Sequence, residues 1–467
     1  MKMWSGRFRQ PLDPDFERWQ RSFEFDRRLL RYELEASGAH AQALKNAGIL
    51  SAEELISILQ GLEQIGGRAT STPSFLEDSE AEDVHHFVEK QLVAMIGETG
   101  YKLHSGRSRN EQIATDLRLY VRATIDHLRQ EITELCSVLV DRAEQAGEAA
   151  MPAYTHLQQA EPVLLGHWLL AYVEMFLRDA ERLADCRKRL NVCPLGSGAV
   201  AGATLPLDRL VMAGSLGFDV PTANSIDATS DRDFTVEFVN SLSLLAMHLS
   251  RWAEEMILFS SHEYGFVILP EAYSTGSSAM PQKKNPDLLE LVRGKSGRVL
   301  GNAVALMVAI KGLPLAYNKD LQETQEPVFE SSDALLQMLP LLVGFMKTVE
   351  FDQARMQSVA QTGFMNAWAA ATYLVKRGVP SRLAHEKIGK AVQMCVERNC
   401  ELADLPVEEL RSLSPAFGAD FHEALKLASV LAVHDVAGGT APARVREAIR
   451  GTRKKIDAVR QEAHAHA

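Results

Sequence analysis

The chain has 467 residues, 46% hydrophobic and 24% charged, with a formal net charge of −11. A chain of this length can bury its core without disulfide staples, and its acidic balance disfavours nucleic acid, whose phosphates demand concentrated Lys and Arg. The cysteines (Cys136, Cys186, Cys193, Cys395, Cys400) are odd in number and form no C-x-x-C pair, which reads as free thiols in a reducing compartment rather than a zinc site.

Met1 to Arg7 lacks the apolar run of a signal peptide. The longest apolar stretches are interrupted by charge or glycine before bilayer length. The expectation is a cytoplasmic, untethered protein. Along the chain, Glu80 to Glu89 comes first. His85 and Glu89 lie four apart, as metal ligands on a helix sometimes do, but the order H-E-x-x-H is absent. A solvated helix start is expected there. His104-Ser-Gly-Arg-Ser-Arg-Asn110 follows. Its glycine permits a tight turn, and Arg107 and Arg109 offer forked donors suited to carboxylates. A polar connection ahead of the next helix fits the same residues.

From Ile113 to Ala146 there is neither Gly nor Pro. Apolar residues recur in steps of three and four through Leu117, Val121, Ile125, Leu128, Ile132, Leu135 and Leu139. That is one face of a helix about 50 Å long at 1.5 Å per residue. Tyr154-Thr-His-Leu-Gln158 sits between Pro152 and Pro162, which places His156 in a turn. Histidine exchanges protons near neutrality, though a lone histidine is a weak signal. Further helical patterns cover Gly166 to Leu190, Val236 to Phe259, Asp287 to Ile310 and Val328 to Val349. Before the third of these, Thr275 to Pro286 combines glycine, two serines and two lysines. Asn285 reads as an N-cap and Pro286 as the first helical residue. A mobile anion-binding loop with a potential base and a solvated linker both fit this spacing. Ala316 to Gln322 is a polar patch with no meaning from spacing alone. No long stretch shows strand alternation with hairpin turns. The fold class is therefore all-α, with a central long-helix bundle over residues 113–355 between smaller helical regions at 1–112 and 356–467.

Taken jointly, these segments resemble the fumarase/aspartase superfamily. Gly276-Ser-Ser-Ala-Met-Pro-Gln-Lys-Lys-Asn-Pro286 is similar to its signature loop, and the Gln-Lys-Lys-Asn portion to the argininosuccinate lyase version. Ser105 to Asn110, Thr155 to Gln158, Ser225 to Phe234 and Tyr317 to Gln322 match as well. So do Trp4 to Phe8 and Gly438-Gly-Thr440, so the resemblance spans nearly the whole chain. It implies a three-domain helical homotetramer with active sites shared between subunits. It also implies no metal or organic cofactor, and argininosuccinate as substrate, split into fumarate and arginine. Carried over residue by residue, it implies Ser277 as base, Lys283 and Asn285 as stabilisers of the carbanion's carboxylate, His156 as acid and Glu290 as its orienting carboxylate. Ser22, Asp26, His85, Ser108, Arg109, Asn110, Thr155, Arg232, Tyr317 and Gln322 are the implied substrate contacts or their supports. Three positions depart from the pattern. Gln325 stands where a substrate-contacting lysine is usual, which puts one carboxylate contact in doubt. Glu161 replaces glutamine close after His156 and is expected to raise that histidine's pKa. Glu111 replaces aspartate.

Overall fold

A computed structural model describes residues 10–78 and 80–465. The Trp4 to Phe8 motif lies outside the described residues. In chain order the principal elements are α1 (Leu30–Asn46), α2 (Ala52–Ser71), α3 (Val84–Ile96), α4 (Arg109–Ala146), β1 (Ala150–Thr155), β2 (Gln158–Leu164), α5 (Leu165–Leu190), α6 (Asp233–Ser260), β3 (Thr275–Gly276), β4 (Lys284–Asn285), α7 (Asp287–Ile310), α8 (Gln325–Thr348), α9 (Ser381–Arg398) and α10 (Pro442–Ala465). The five long helices read from periodicity are α4 to α8, with ends within a few residues of those expected.

Local chemistry sets several boundaries. Ser51 and Glu54 close a reciprocal capping box on α2, with Glu54 N donating to Ser51 Oγ at 3.1 Å and Ser51 N to Glu54 Oε2 at 2.9 Å. Asp83 caps α3 by accepting from His86 N at 2.7 Å, and Gly97, at φ 64°, stops that helix. Ser108 and Glu111 do the same work for α4: Asn110 N donates to Ser108 Oγ at 3.2 Å and Ser108 N to Glu111 Oε1 at 2.9 Å.

The chain divides into two compact units. One comprises the chain through His127, Arg182–Ser243 and Arg298–Asp333; the other comprises Leu128–Glu181, Leu244–Gly297 and Ala334 onward. In the first unit, Phe23 stacks on Phe87 at 4.9 Å and Phe75 meets Phe87 edge-on at 5.2 Å. Tyr120 of α4 meets Phe329 of α8 edge-on at 5.0 Å. Such aromatic pairs add about 0.5–1.5 kcal/mol each beyond the area they bury. In the second unit, the later parts of α4, α6 and α8 and the earlier part of α5 bury Ile132, Leu139, Phe176, Trp252 and Phe345 completely or nearly so. His248 and Asp179 join α6 to α5 by a buried 2.7 Å hydrogen bond. A separate apolar cluster, with Leu374, Ile388, Leu410, Phe417 and Phe421, forms around α9.

Two expectations are corrected. First, a hairpin is present: β1 and β2 pair antiparallel, with a register shift between Pro152 and Tyr154. The prolines and that irregularity break the alternation that marks a strand in sequence. Second, Lys319–Thr348 is long and apolar enough to cross a bilayer by length and composition, and 56% of its most apolar window is buried inside the protein. Its apolarity is that of a packed core helix.

Candidate active site

The first unit gathers a dense polar cluster behind the Ser105 to Asn110 loop. Glu33, one of its members, is 1% exposed. Its carboxylate accepts from Ser37 Oγ at 2.6 Å, from His85 Nδ1 at 2.8 Å and from Gln112 Nε2 at 3.1 Å. Arg107 Nη2 lies 3.8 Å from it, and Arg107 Nη1 donates to Ser37 Oγ. Burial opposes the Glu33 charge, yet His85 and Arg107 outweigh it and hold the carboxyl well below its usual range. Asp116, also fully buried, sits 3.6 Å from His85 Nδ1. Burial first, then the adjacent Glu33 anion, pushes its carboxyl far above the ordinary range. The pair therefore holds one proton between two acids.

His85 is accordingly not at a solvated helix start, as the sequence suggested; it is buried at 3% exposure. Glu33, His85 and Asp116 do present ligand atoms within 4.8 Å of one another. A divalent cation would have to displace the Asp116 proton and lie beside the Arg107 guanidinium. The donor set therefore fits proton sharing better than metal binding. Arg107, one of the two loop arginines, is spent on this scaffold. His40 Nε2 donates to the Ser105 carbonyl at 3.0 Å, and burial drives His40 down to about 3, so it holds the loop as a neutral ring.

Arg109, the other arginine, forms an ion pair with Asp83. Asp26 stands next to that pair, accepting from Ser22 Oγ at 2.6 Å and Val84 N at 3.0 Å. Burial first, then the Asp83 charge, raises the Asp26 carboxyl to about 7. Tyr317 lies within the field of Arg232, Asp83 and Arg109, and burial raises its phenol. Arg232 is 1% exposed and donates through Nη1 to the Asp231 carbonyl at 2.7 Å; among the described residues its Nε and Nη2 have no hydrogen-bond partner. Burial lowers it to about 10, so it stays cationic at neutral pH. Gln322 donates to the Gln20 carbonyl at 3.3 Å, close to Ser22. Thus Ser22, Asp26, His85, Ser108, Arg109, Asn110, Arg232, Tyr317 and Gln322 all fall in one unit, most of them linked directly or through Asp83.

The second unit carries Thr155, His156, Ser277, Lys283, Asn285 and Glu290. His156 and Leu157 form the two-residue turn of the β1–β2 hairpin, with φ of 56° and 57°. Both being left-handed matches the turn that suits a twisted hairpin. Neither is glycine, which costs on the order of 1–2 kcal/mol per residue. Strain of this kind persists where the surroundings enforce it. Tyr154 packs on Tyr264 at 5.5 Å, and Leu164 N donates to Thr440 Oγ1 at 2.8 Å. The Gly438-Gly439 pair is what brings Thr440 there: a side chain on Gly439 would overlap the His434 carbonyl.

In the 275–285 segment, Thr275 pairs with Asn285 and Gly276 with Lys284. Asn285 thus belongs to a short ladder and is not the helix cap; α7 begins at Asp287, and Glu290 N donates to the Pro286 carbonyl. Thr275 Oγ1 donates to Asp287 Oδ2 at 2.5 Å. Lys283 and Lys284 are both exposed, and the Lys284 ammonium donates to the Leu269 carbonyl. The Ser277 hydroxyl oxygen accepts from two backbone amides, Ala279 N at 3.2 Å and Met280 N at 3.1 Å. His156, Lys283 and Glu290 are exposed on this chain, and among the described residues no hydrogen bond or ion pair joins His156 to Ser277, Lys283 or Glu290. Glu161 lies 3.5 Å from His434 Nε2, which is the partner that replaces the expected interaction with His156.

Sequence reasoning missed Glu33, Asp83 and Asp116. Asp83 had a visible signal, since it stands at the N-cap of α3, but its pairing with Arg109 spans 26 residues.

A lyase family model matches residues 6–301, and a model for the argininosuccinate lyase C-terminal region matches residues 364–432. The argininosuccinate lyase of Koribacter versatilis is 60% identical over 467 residues, covering all of both chains. That of Acidobacterium capsulatum is 58% identical over 460 residues, covering 97% of this chain and 95% of the other. Among solved structures, EDDS lyase in complex with formate superposes with a TM-score of 0.84 at 25% identity, covering 98% of this chain and 93% of that one.

Proposed function

We propose a division of catalytic labour for a chain that belongs to the argininosuccinate lyase family and converts argininosuccinate to fumarate and arginine. Ser277, as an alkoxide, removes the proton from the carbon beside a succinyl carboxylate. The electron pair left behind spreads onto that carboxylate, then forms the C=C bond as the C–N bond breaks. His156 gives a proton to the departing guanidinium nitrogen. Lys283 and Asn285 stabilise the dianionic carboxylate, and Glu290 orients His156.

The observation that carries this reading is the pair of amides aimed at the Ser277 oxygen, at 3.2 and 3.1 Å. A serine hydroxyl is a poor base unless its anion is stabilised. Preorganised donors of this kind are worth about 2.7–4 kcal/mol each when they face developing charge. Arg109, Ser108, Asn110 and Thr155 bind the substrate carboxylates. Asp26 faces the cationic arginine portion, and Ser22, His85, Arg232, Tyr317 and Gln322 complete or support the pocket.

The functional assembly in this reading is a cytoplasmic homotetramer whose sites draw on several subunits. Two features support it. His156, Lys283 and Glu290 are open on a single chain. The α7 surface also exposes Leu291, Leu300, Val304, Met307 and Val308, while a Cβ placed on Gly294, Gly297 or Gly301 of the same helix would point into open space among the described residues. An apolar stripe with glycines invites close packing against other helices.

The test is fumarate formation, followed by absorbance, with argininosuccinate and adenylosuccinate offered separately. Release from argininosuccinate alone is expected. Ser277→Ala should keep assembly and substrate binding while kcat falls about 100- to 10,000-fold, the usual share of a positioned base. Near-normal turnover in Ser277→Ala would remove Ser277 from the mechanism.

A further inference from the structure

Helix α9 ends in a left-handed residue, Asn399, at φ 52° and ψ 51°. Two backbone bonds close the end: Cys400 N to the Cys395 carbonyl at 3.0 Å and Asn399 N to the Val396 carbonyl at 3.3 Å. This six-to-one and five-to-two pattern brings together the side chains of the third-from-last helical residue and the second residue past the cap. In most proteins those two positions hold an apolar contact. Here both are cysteines, five apart: Cys395 belongs to the apolar cluster around α9, and Cys400 packs against that cluster. Cys395 is fully buried, and Cys400 is partly open to solvent.

We propose that Cys395 and Cys400 are a modification site at which a low-molecular-weight disulfide, such as that of glutathione, installs an intramolecular disulfide. The Cys400 thiolate attacks the reagent, forming a mixed disulfide and expelling one thiolate. The Cys395 thiolate then attacks the Cys400 sulfur, forming the Cys395–Cys400 bond and expelling the second. Two protein thiols are oxidised by two electrons, one disulfide becomes two thiols, and both protons pass to solvent or to the leaving thiolates.

The order of attack follows from exposure. Burial, then the Cys400 contact, pushes the Cys395 thiol up to about 12, so it is slow as a free nucleophile. As the second partner it faces a sulfur already beside it, and proximity replaces intrinsic reactivity. Bridging geometry needs Cβ atoms about 3.5–4.5 Å apart, and the helix-end motif is what turns these two side chains toward each other. Cys136, Cys186 and Cys193 are buried, with burial raising each thiol and no second cysteine beside any of them. The reaction is therefore confined to the α9 end.

The experiment treats the native full chain with glutathione disulfide, blocks free thiols, digests with trypsin and reads the peptides by mass spectrometry. Trypsin cuts after Arg398, so the two cysteines fall on separate peptides, Ala391 to Arg398 and Asn399 to Arg411. The expected product is these two peptides joined, two hydrogens lighter than their sum, and released by dithiothreitol. Cys395→Ala should instead accumulate glutathione on Cys400. Wild-type protein that accumulates glutathione on Cys400 while Cys395 stays free overturns the proposal, as does modification of Cys136, Cys186 or Cys193 at the same rate. If Cys395→Ala does not fold, the wild-type peptide pair decides alone.

Discussion

Asp83 supports two functions that substitution can separate. Its carboxylate caps α3 through His86 N at 2.7 Å and pairs with Arg109, with side-chain exposures of 13% and 20%. Asp83→Asn keeps the cap, because asparagine caps about as well as aspartate, and deletes the charge. Removing one partner of a buried ion pair costs about 3–5 kcal/mol. With both groups slightly open to water, the lower end applies, about 3 kcal/mol. Asp83→Ala loses the cap as well and should cost about 1 kcal/mol more. The assay is urea unfolding at one fixed protein concentration, since assembly shifts apparent stability. An Asn variant as stable as wild type, with only the Ala variant weakened, would refute the ion-pair argument and leave the cap as the whole effect. A second signature accompanies it. Asp26 is raised to about 7 by burial first and by the Asp83 charge second. Asp83→Asn removes the second cause, so the Asp26 inflection in kcat/KM against pH should move to lower pH.

Other expectations follow from the same geometry. The folded chain holds the Asp26 proton to about 7, above the ordinary carboxylate value of 3.8, so wild-type stability should fall as pH rises across that window; Asp26→Asn should flatten the slope in pH-dependent denaturation. Glu33→Gln should let Asp116 ionise and take over part of the balance of Arg107, whereas Glu33→Gln with Asp116→Asn leaves only Glu111 of the three nearby acids that favour its charge. A double-mutant cycle should therefore show a loss exceeding the sum of the singles by about 1–3 kcal/mol. Gly106, at φ 68°, has Leu205 Cδ1 2.7 Å from where a Cβ would sit. Gly106→Ala should displace the Arg109 loop and raise KM, with a stability loss of about 1–3 kcal/mol. Mixing inactive Ser277→Ala and His156→Asn chains through dissociation and reassembly should recover fumarate release, and no recovery would argue against sites shared between subunits.

The sequence alone determined the long helices. An apolar step of three and four over Ile113 to Ala146 has no other economical solution, and α4 to α8 lie where periodicity put them. It also marked the chemistry-bearing loops, since short runs of Gly, Ser, Arg and Lys stand out between apolar stretches. Tertiary structure decided which members of those loops are free to act. Arg107 and Arg109 look alike in sequence, yet Glu33 and Ser37, some seventy residues away, fold Arg107 into the scaffold while Asp83 takes Arg109. Lys283 and Lys284 are neighbours, and it is the Lys284 ammonium that the fold brings to the Leu269 carbonyl. Asp26 and Asp116 drew their charge states from burial and from partners on other helices. Periodicity is a local property, carried by residues within a few turns of one another. A desolvation cost or a through-space field depends on which distant groups arrive, and that is fixed only when the helices have packed.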